Sequence, residues 1–461
     1  MLNRDSIAIW GTVGTGEASL RVNKRPVMVE RNGSFADFVP LPRADTAVLE
    51  FVAEGAGETR QQTIRIFRKL PDTGPPAAQE RLVPQARWVI LRRARSDTAD
   101  SATQARPIYS RWAPDGSLAV PLDQESRLLS DRRTANAVRL RLAPDLFVWV
   151  PAAETVEATS GPLPSPGLSD LRIESDSSET VVRIPAAERL NTSVEYAVET
   201  LHWTIWAEPE NDLVAALDTT VGIVQQIRLR KEPPGRVVLA VQLTERPLGW
   251  RSEWRDGELI LRIRSRLPLR GGLPGLIVAV DAGHPPGGTI GPTGYTEAEM
   301  TMAVARATAR RLETLGAVAV LLREDEAPVS LDERIARAER AGAHVLVSIH
   351  GNSPGPGRPP WAVLGTQTIW FQPMAQPLAN ALLREVRTSL NQVALGAHRE
   401  DFALIRPTWF PAVLVEGTGL VLPEREAYLR TADGIGAYAD GIVSGLQFWV
   451  RLTAPSDSLL R

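Results

Sequence analysis

The 461-residue chain contains no cysteine. This absence excludes a disulfide framework, a catalytic thiol and a cysteine-ligated metal, while it leaves the redox compartment open. Any metal site in this protein must therefore be built from histidine, aspartate and glutamate. The chain has only five histidines, which limits the candidate ligands.

The sequence also lacks a charge bias and a long apolar run. A formal net charge of −2 gives no electrostatic reason to expect nucleic acid as a partner. Apolar and charged contents of 43% and 23% are ordinary for a soluble globular protein. With no stretch of about twenty apolar residues, no transmembrane helix is expected. The length favours three or four domains.

The first ten residues, MLNRDSIAIW, lack the basic segment and apolar core of a signal peptide. Either the protein is cytosolic or an export signal is missing from this sequence.

The N-terminal part of the chain predicts three small all-β domains. Residues 1–69 contain short alternating segments with Asn32-Gly33 as a hairpin signal, which is typical of a β-sandwich. Residues 84–158 are again all-β, and residues 168–266 contain longer alternating strands. Linkers rich in proline and glycine follow these regions, at 71–76, 161–167 and 267–275.

From residue 275 to 453 the pattern changes to strands alternating with amphipathic helices. This predicts an α/β domain with a mostly parallel sheet flanked by helices. Thr296 with Glu299, and Ser330 with Glu333, have the spacing of helix-capping pairs. Further strands are expected at 345–349, 366–371, 402–405 and 412–415, and further helices at about 375–391 and 424–448.

Four titratable residues occupy equivalent places in this domain. His284, His350 and Glu416 each follow a buried strand, and Glu297 opens the helix after the His284 loop. Because the carboxyl ends of parallel strands share one edge of a sheet, these side chains can converge in one crevice. Two histidines and one glutamate form an open catalytic zinc set, and the remaining carboxylate can serve as general base on the water.

Four motifs carry a family resemblance over about residues 275–450. They are Asp281–His284, Gly294–Glu297, Ser348–Asn352 and Pro411–Glu416, and together they resemble the zinc-dependent N-acetylmuramoyl-L-alanine amidases. The resemblance implies that His284, Glu297 and His350 are zinc ligands and that Glu416 is the catalytic base. It also implies that Asn352 and Arg323 support the site or bind substrate.

The resemblance further implies a reaction. The expected activity is hydrolysis of the peptidoglycan amide between N-acetylmuramic acid and the L-alanine of the stem peptide, by zinc-activated water. Two other functions stay open: a zinc peptidase or deacetylase acting on the same polymer, and an inactive wall-binding protein.

Each site residue has a structural alternative. Glu299 competes with Glu297, because acidic residues are favourable in any first helical turn. His284 and His350 could be structural histidines, and Glu416 could be a surface acid. The remaining histidines, His202, His344 and His398, are expected to lie outside the site.

The β domains carry weaker resemblances. Residues 1–69 resemble bacterial Ig-like extracellular modules, residues 84–158 resemble SH3-like cell-wall modules, and residues 168–266 are similar to AMIN-type modules. The family context implies a periplasmic or extracellular protein that acts on peptidoglycan. Activator or divisome partners remain open.

The chain departs from the family pattern at several places. Ala282 and the Pro285-Pro286 pair alter the first motif, and Glu339 stands where asparagine is usual. Some members insert a long autoinhibitory helix after the second histidine, whereas only the short segment 353–361 occupies that gap here. We therefore expect a site that its own helix does not close.

Overall fold

A computed structural model describes most of the chain, in these ranges: 6–41, 46–67, 81–92, 108–111, 118–122, 126–143, 146–158, 170–207, 216–217, 220–232, 236–265, 267, 272–355 and 357–453. The chain divides into two compact units. The first contains residues 1–73, 268–407 and 411–461, and the second contains residues 74–267 with 408–410. The linkers expected at 71–76 and 161–167, and part of 267–275, lie outside the described residues.

The first unit begins with a β domain of two sheets. Its strands are β1 Ser6–Thr12, β2 Ser19–Val22, β3 Arg25–Val27, β4 Ser34–Pro40, β5 Thr46–Gly55 and β6 Glu58–Phe67. One sheet has the order β1-β4 and the other β3-β2-β5-β6. Alternate residues of both sheets, such as Ile9, Leu20 and Leu49, form one buried core. Asn32-Gly33 does form a turn, but the hairpin prediction is wrong because this turn passes from β3 in one sheet to β4 in the other.

The second unit has no α-helix in its described part, where strands predominate. Its first sheet is formed by β7 Arg81–Leu91, β8 Ile108–Arg111, β9 Leu118–Leu122, β10 Arg127–Arg133, β11 Ala137–Ala143, β12 Leu146–Pro151 and β13 Thr155–Glu157. Two more sheets contain β14 Arg172–Ser175, β15 Glu179–Pro185, β16 Thr192–Ala197, β17 Thr200–Ile205, β18 Ala216–Leu217, β19 Val224–Glu232, β20 Arg236–Leu243, β21 Gly249–Arg255 and β22 Glu258–Arg264. Trp206, which follows β17, belongs to the same buried cluster as Leu91 and Leu140 of the first sheet. The two regions therefore share core contacts within one compact unit.

The α/β domain of the first unit has six strands and five α-helices in its described residues. The strands are β23 Ile277–Ala282, β24 Val318–Leu321, β25 Val345–Asn352, β26 Thr366–Trp370, β27 Ala394–Arg399 and β28 Ala412–Gly419. The helices are α1 Glu297–Thr314, α2 Leu331–Arg340, α3 Gln376–Ser389, α4 Pro423–Leu429 and α5 Ala432–Thr453.

The sheet of this domain has the order β24-β23-β25-β28-β26-β27. The first four strands of this order run parallel to one another, as does the β26/β27 pair, but β26 is antiparallel to β28. The mostly parallel sheet is thus confirmed in part. Helix α5 contacts both α1 and α3, so the three helices form a layer over the sheet.

Local signals explain where the helices begin. Thr296 and Glu299 form a full capping box at α1, and the Ser330 side chain accepts a hydrogen bond from the Glu333 amide at α2. The expected helix 424–448 is instead two helices, because the Thr431 hydroxyl accepts a bond from the Gly434 amide and starts α5 afresh.

Two strand predictions in this domain need correction. Residues 402–405 were expected to form a strand, but Ala403–Ile405 is a 3-10 turn. The edge strand Ala394–Arg399 was not expected, because its residues are mostly exposed or half-buried and show no apolar alternation. The pattern of a short apolar run does not by itself distinguish a strand from a helical turn.

In the described residues, no helix combines the length and apolarity that a membrane span requires.

The crossing of α5 and α3 depends on two glycines. A Cβ at Gly441 would lie 2.7 Å from the Val386 Cα, and one at Gly445 would lie 2.9 Å from the Leu382 Cα. Both contacts are with backbone atoms, which cannot move aside locally.

We therefore expect Gly445→Ala to lower the free energy of unfolding by about 1–3 kcal/mol through overpacking. Gly436→Ala is the matched control, since its Cβ would meet only the Arg311 Nη2 at 3.2 Å, the end of a flexible side chain. That control should be neutral or stabilising by up to about 1 kcal/mol. Urea denaturation measures both, and equal effects of the two variants would contradict the close crossing.

Candidate metal and active site

The parallel strands bring the expected site residues to one edge of the sheet. His350 and Glu416 are direct neighbours in the β25/β28 register, and Ala282 at the end of β23 pairs with Ile349. His284 follows β23 after one residue. Glu297 is the first residue of α1 and is 3% exposed. The topology thus joins residues that are up to 132 positions apart in sequence.

Three of these side chains converge closely. The Glu297 Oε1 lies 3.4 Å from the His284 Nε2 and 3.1 Å from the His350 Nδ1. The candidate ligand atoms of His284, Glu297 and His350 all lie within 4.8 Å of one another. The two imidazole rings meet edge to face, with centroids 5.1 Å apart. Among the described residues, this is the only such group of histidine and acidic side chains.

Backbone contacts fix the orientation of His284 and Glu297. The His284 Nδ1 lies 2.9 Å from the Pro286 carbonyl, so donation there leaves the lone pair on the inward Nε2. The Thr289 amide donates to the Glu297 Oε2 at 2.8 Å, and the Gly351 amide donates to its Oε1 at 3.0 Å. The carboxylate is therefore held before any ligand arrives.

The close packing of the His350 ring requires a glycine. A Cβ at Gly283 would lie 2.5 Å from the His350 Cε1 and 2.6 Å from the Ile349 carbonyl oxygen. A side chain at residue 283 would therefore displace the imidazole from its place beside Glu297.

The charges in this group shift one another's pKa values. Burial by itself raises the pKa of Glu297, but hydrogen bonds from His284 and His350 bring it well below its usual range. The hydrogen bond to Glu297 raises the pKa of His284. Burial opposes charge on His350, yet its hydrogen bond to Glu297 and the nearby negative charge of Glu416 raise its pKa. The cluster therefore favours positive charge next to the Glu297 carboxylate.

Glu416 is in a different environment from Glu297. Burial raises the pKa of Glu416 to about 7, and the charge on His350 opposes this rise. Its Oε2 is buried without a hydrogen-bond partner in the described part of the chain. A buried carboxylate that lacks a partner costs free energy unless a ligand or a proton compensates it. This carboxylate is thus available to a ligand, whereas that of Glu297 is already engaged.

A buried ion pair holds the backbone that carries His284. The Arg334 Nη1 donates to the Asp281 Oδ1 at 3.0 Å, and the side chains are 3% and 0% exposed. Arg334 also donates to the carbonyls of Ala282, His284 and Pro285. The Ser348 hydroxyl donates to the other Asp281 oxygen at 2.7 Å. His284 has the left-handed φ of 58°, which a non-glycine residue adopts only when its surroundings impose it.

Arg323 lies beneath the same loop and is 0% exposed. Its guanidinium donates to the carbonyls of Ala282, Gly283 and Ala298. Of the two roles expected for Arg323, this burial favours support of the site over contact with substrate.

Asn352 is buried at the end of β25, and its Oδ1 accepts a hydrogen bond from the Gln367 side chain at 3.3 Å. Gln367 is in turn the register partner of Glu416 across β26 and β28. Asn352 therefore lies beside the candidate base rather than among the three converging side chains.

The other three histidines lie elsewhere. The His344 Nδ1 accepts a hydrogen bond from the Ile277 amide, and the His398 Nε2 lies 3.1 Å from the Leu395 carbonyl. His202 belongs to β17 in the second unit.

Sequence reasoning missed two buried residues that support the site. The Tyr438 hydroxyl on α5 lies 2.9 Å from the carbonyls of both His350 and Val415. It thereby links β25 and β28, the two central strands. Glu426 on α4 is 1% exposed and accepts hydrogen bonds from the Thr293 and Tyr295 amides. The only sequence signal for Tyr438 and Glu426 was a polar residue on an apolar helix face. Such a signal does not identify the backbone groups that the residue contacts.

The residues present fit a zinc ion. Two imidazole nitrogens and one carboxylate oxygen converge on one point, and this is the donor set of an open catalytic zinc site. The inward-facing histidine nitrogens contact only Glu297 in the cluster, as expected for ligands poised to exchange a hydrogen bond for a metal bond.

Comparison with known proteins gives matches over the α/β domain. Residues 278–447 match the family model described as N-acetylmuramoyl-L-alanine amidase. The uncharacterised protein YqiI of Bacillus subtilis is 31% identical over 182 residues, which are 38% of this chain and 84% of YqiI.

Two further relatives carry a functional name. The N-acetylmuramoyl-L-alanine amidase LytC of Bacillus subtilis is 28% identical over 150 residues, 32% of this chain and 30% of LytC. The catalytic domain of the amidase CwlV from Bacillus (Paenibacillus) polymyxa var. colistinus is 29% identical, and the match covers 38% of this chain and 98% of that domain with a TM-score of 0.36. The chain thus spans less than a third of LytC.

The ion pair below the His284 loop can be tested by stability. Removing one partner of a buried pair leaves the other charge uncompensated, so Arg334→Met should destabilise the protein by about 3–5 kcal/mol. Arg340→Met is the control, because Arg340 pairs with Glu333 at the surface with a 40% exposed side chain and surface pairs contribute about 0–1 kcal/mol. Urea denaturation at neutral pH gives both values. A loss below 1 kcal/mol in Arg334→Met would show that the pair does not hold the loop.

Proposed function

The chain belongs to the N-acetylmuramoyl-L-alanine amidase family, and from this premise we propose that it hydrolyses peptidoglycan with a zinc ion held by His284, Glu297 and His350. The bond cleaved is the amide between N-acetylmuramic acid and the L-alanine of the stem peptide. Glu416 is the proposed general base.

One observation carries the proposal. Three ligand-type atoms lie within 4.8 Å of one another, and a buried carboxylate with an unpartnered oxygen stands on the neighbouring strand. Zinc-dependent amide hydrolysis uses these two parts, a Lewis acid and a proton acceptor, at adjacent places.

When bound, the zinc ion supplies Lewis-acid activation of water and polarisation of the scissile carbonyl. Glu416 accepts the proton of the attacking water at its Oε2 and delivers it to the alanine nitrogen as the C–N bond breaks. A pKa of about 7 suits Glu416 to a proton transfer near neutral pH. A cation at the neighbouring ligands favours the charged carboxylate and so lowers this pKa.

The remaining residues of the edge hold these groups in place. Arg323 and Arg334 donate to the carbonyls on either side of His284. Asn352, next to Gln367, is the proposed polar contact for substrate beside Glu416.

The substrate sets the proposed location, which is the periplasm or the cell exterior. The assignment of residues 1–69, 84–158 and 168–266 as Ig-like, SH3-like and AMIN-like domains stays a prediction, as does a role of these domains in wall binding. Between β25 and β26, the described residues form only the 3-10 turn Pro360–Val363 and no α-helix. This supports the expectation of a site that its own helix does not close.

Two variants separate the roles of base and ligand. Glu416→Gln keeps the shape of the side chain but cannot accept a proton, so it should retain zinc and lose about 10²–10⁴-fold in kcat. His284→Ala should lose zinc, because it removes one of three ligands. Metal analysis by mass spectrometry and turnover of purified peptidoglycan measure these effects.

Glu424→Gln is the matched control, as Glu424 is an exposed acid on α4. Its zinc content and turnover should equal those of the unmodified protein. Turnover retained in Glu416→Gln would remove the base assignment.

The bond cleaved can be read from the products. Digestion of defined muropeptides should release the intact stem peptide with a free L-alanine amine and leave the glycan with its lactyl carboxylate. Mass spectrometry distinguishes this from loss of acetate, which a deacetylase gives, and from shortened stem peptides, which a peptidase gives. Loss of acetate or shortened stem peptides would contradict the proposed reaction. If the zinc-loaded protein gave no product at all, a wall-binding role would be favoured.

A further inference from the structure

A tryptophan of the N-terminal β domain contacts the loop that joins two of the proposed zinc ligands. Trp10 lies on β1 and belongs to the same compact unit as the α/β domain. Its indole Nε1 donates to the Ile290 carbonyl at 2.8 Å. Ile290 lies between His284 and Glu297, six and seven residues from them in sequence.

The indole ring of Trp10 also packs against the segment that follows β28. It lies against the buried cluster Val363, Val421 and Leu422. Val421 and Leu422 closely follow β28, the strand that carries Glu416. Trp10 thus contacts the segment after β28 with its ring, and it contacts the loop of residues 285–296, here called the ligand loop, with its N–H group.

The inner side of the ligand loop is held by a different group. Glu426 of α4 accepts hydrogen bonds from the Thr293 amide, the Thr293 hydroxyl and the Tyr295 amide at 2.8–3.2 Å. This buried carboxylate fixes residues 293–295 from within. It makes no hydrogen bond of this kind with Ile290, a residue that is 56% exposed.

Backbone contacts couple the position of Ile290 to that of Glu297. Ile290 forms an isolated β-bridge with Thr296, the residue that caps α1. Next to it, the Thr289 amide donates to the Glu297 Oε2, and the Glu297 amide donates to the Thr289 carbonyl at 2.8 Å. A shift of residue 290 therefore moves both the start of α1 and the carboxylate.

We propose that Trp10 is a positioning residue of the active site, and that the N-terminal β domain acts through it as an outer clamp on the ligand loop. The clamp sets the distance between His284 and Glu297, and this inference rests on the proposed zinc function. A second aromatic contact supports the docking of this domain, because Phe38 of β4 meets Trp361 edge to face at 6.4 Å between ring centroids.

The test is Trp10→Phe in the full chain, which removes the N–H donor and keeps an aromatic ring on Val421. Trp254→Phe is the matched control, since the Trp254 Nε1 donates to the Ala186 carbonyl at 2.9 Å within the second unit. Three measurements are made on each protein: amide hydrogen exchange of residues 287–296 without zinc, zinc affinity by chelator competition, and kcat and KM on peptidoglycan.

Trp10→Phe should speed exchange of the 287–296 amides and weaken zinc binding about 2–10-fold, the loss expected for one hydrogen bond. Its kcat should fall at saturating zinc while KM changes little, because the clamp acts on the ligands and not on substrate. Trp254→Phe should leave all three readouts unchanged.

Unchanged loop exchange in Trp10→Phe, or equal effects of the two variants, would overturn the clamp. Failure of the proposed function gives another result: the unmodified protein would bind no zinc, while the exchange difference between the two variants would still decide whether Trp10 holds the loop.

Discussion

The candidate site depends on one buried ion pair, Arg334 with Asp281. Besides its bond to Asp281, this guanidinium donates to three backbone carbonyls around His284, and the Ser348 hydroxyl ties the same aspartate to the neighbouring strand. Such a pair is costly to bury and costly to break, so it specifies one arrangement of the loop. The left-handed backbone of His284 is the visible consequence, because an unsupported chain avoids it.

Around this pair, each layer of the fold contributes one constraint. The parallel strands place His350 and Glu416 side by side. The capping box of α1 fixes the start of that helix, whose first residue is Glu297. Tyr438 of α5 joins the carbonyls of the two central strands. Two carboxylates at the same edge of the sheet thus acquire opposite properties: Glu297 is held charged by two imidazoles, while burial raises the pKa of Glu416 to about 7.

Much of this arrangement was predictable from the sequence because its signals are local or topological. Apolar runs that end in His284, His350 and Glu416 predict that these residues share one edge of the sheet, independently of loop conformation. Thr296 with Glu299 marks the start of α1. The edge strand Ala394–Arg399 was not predictable, because an edge strand with little burial has no alternating pattern. The support from Glu426, Tyr438 and Trp10 was not predictable either. Each acts on a backbone group more than 80 residues away, and sequence spacing carries no information on such pairs.

The central claim is that two imidazoles and one carboxylate hold a zinc ion with a position open to water. X-ray absorption at the zinc edge of the metal-loaded protein tests it most directly, because the chain has no cysteine to compete. The expected spectrum contains two imidazole nitrogens and oxygen ligands at about 2.0–2.2 Å in a four-coordinate shell, and the His284→Ala variant, which should lose zinc, should not give this spectrum. A six-oxygen shell without imidazole, or a spectrum that His284→Ala leaves unchanged, would contradict the claim.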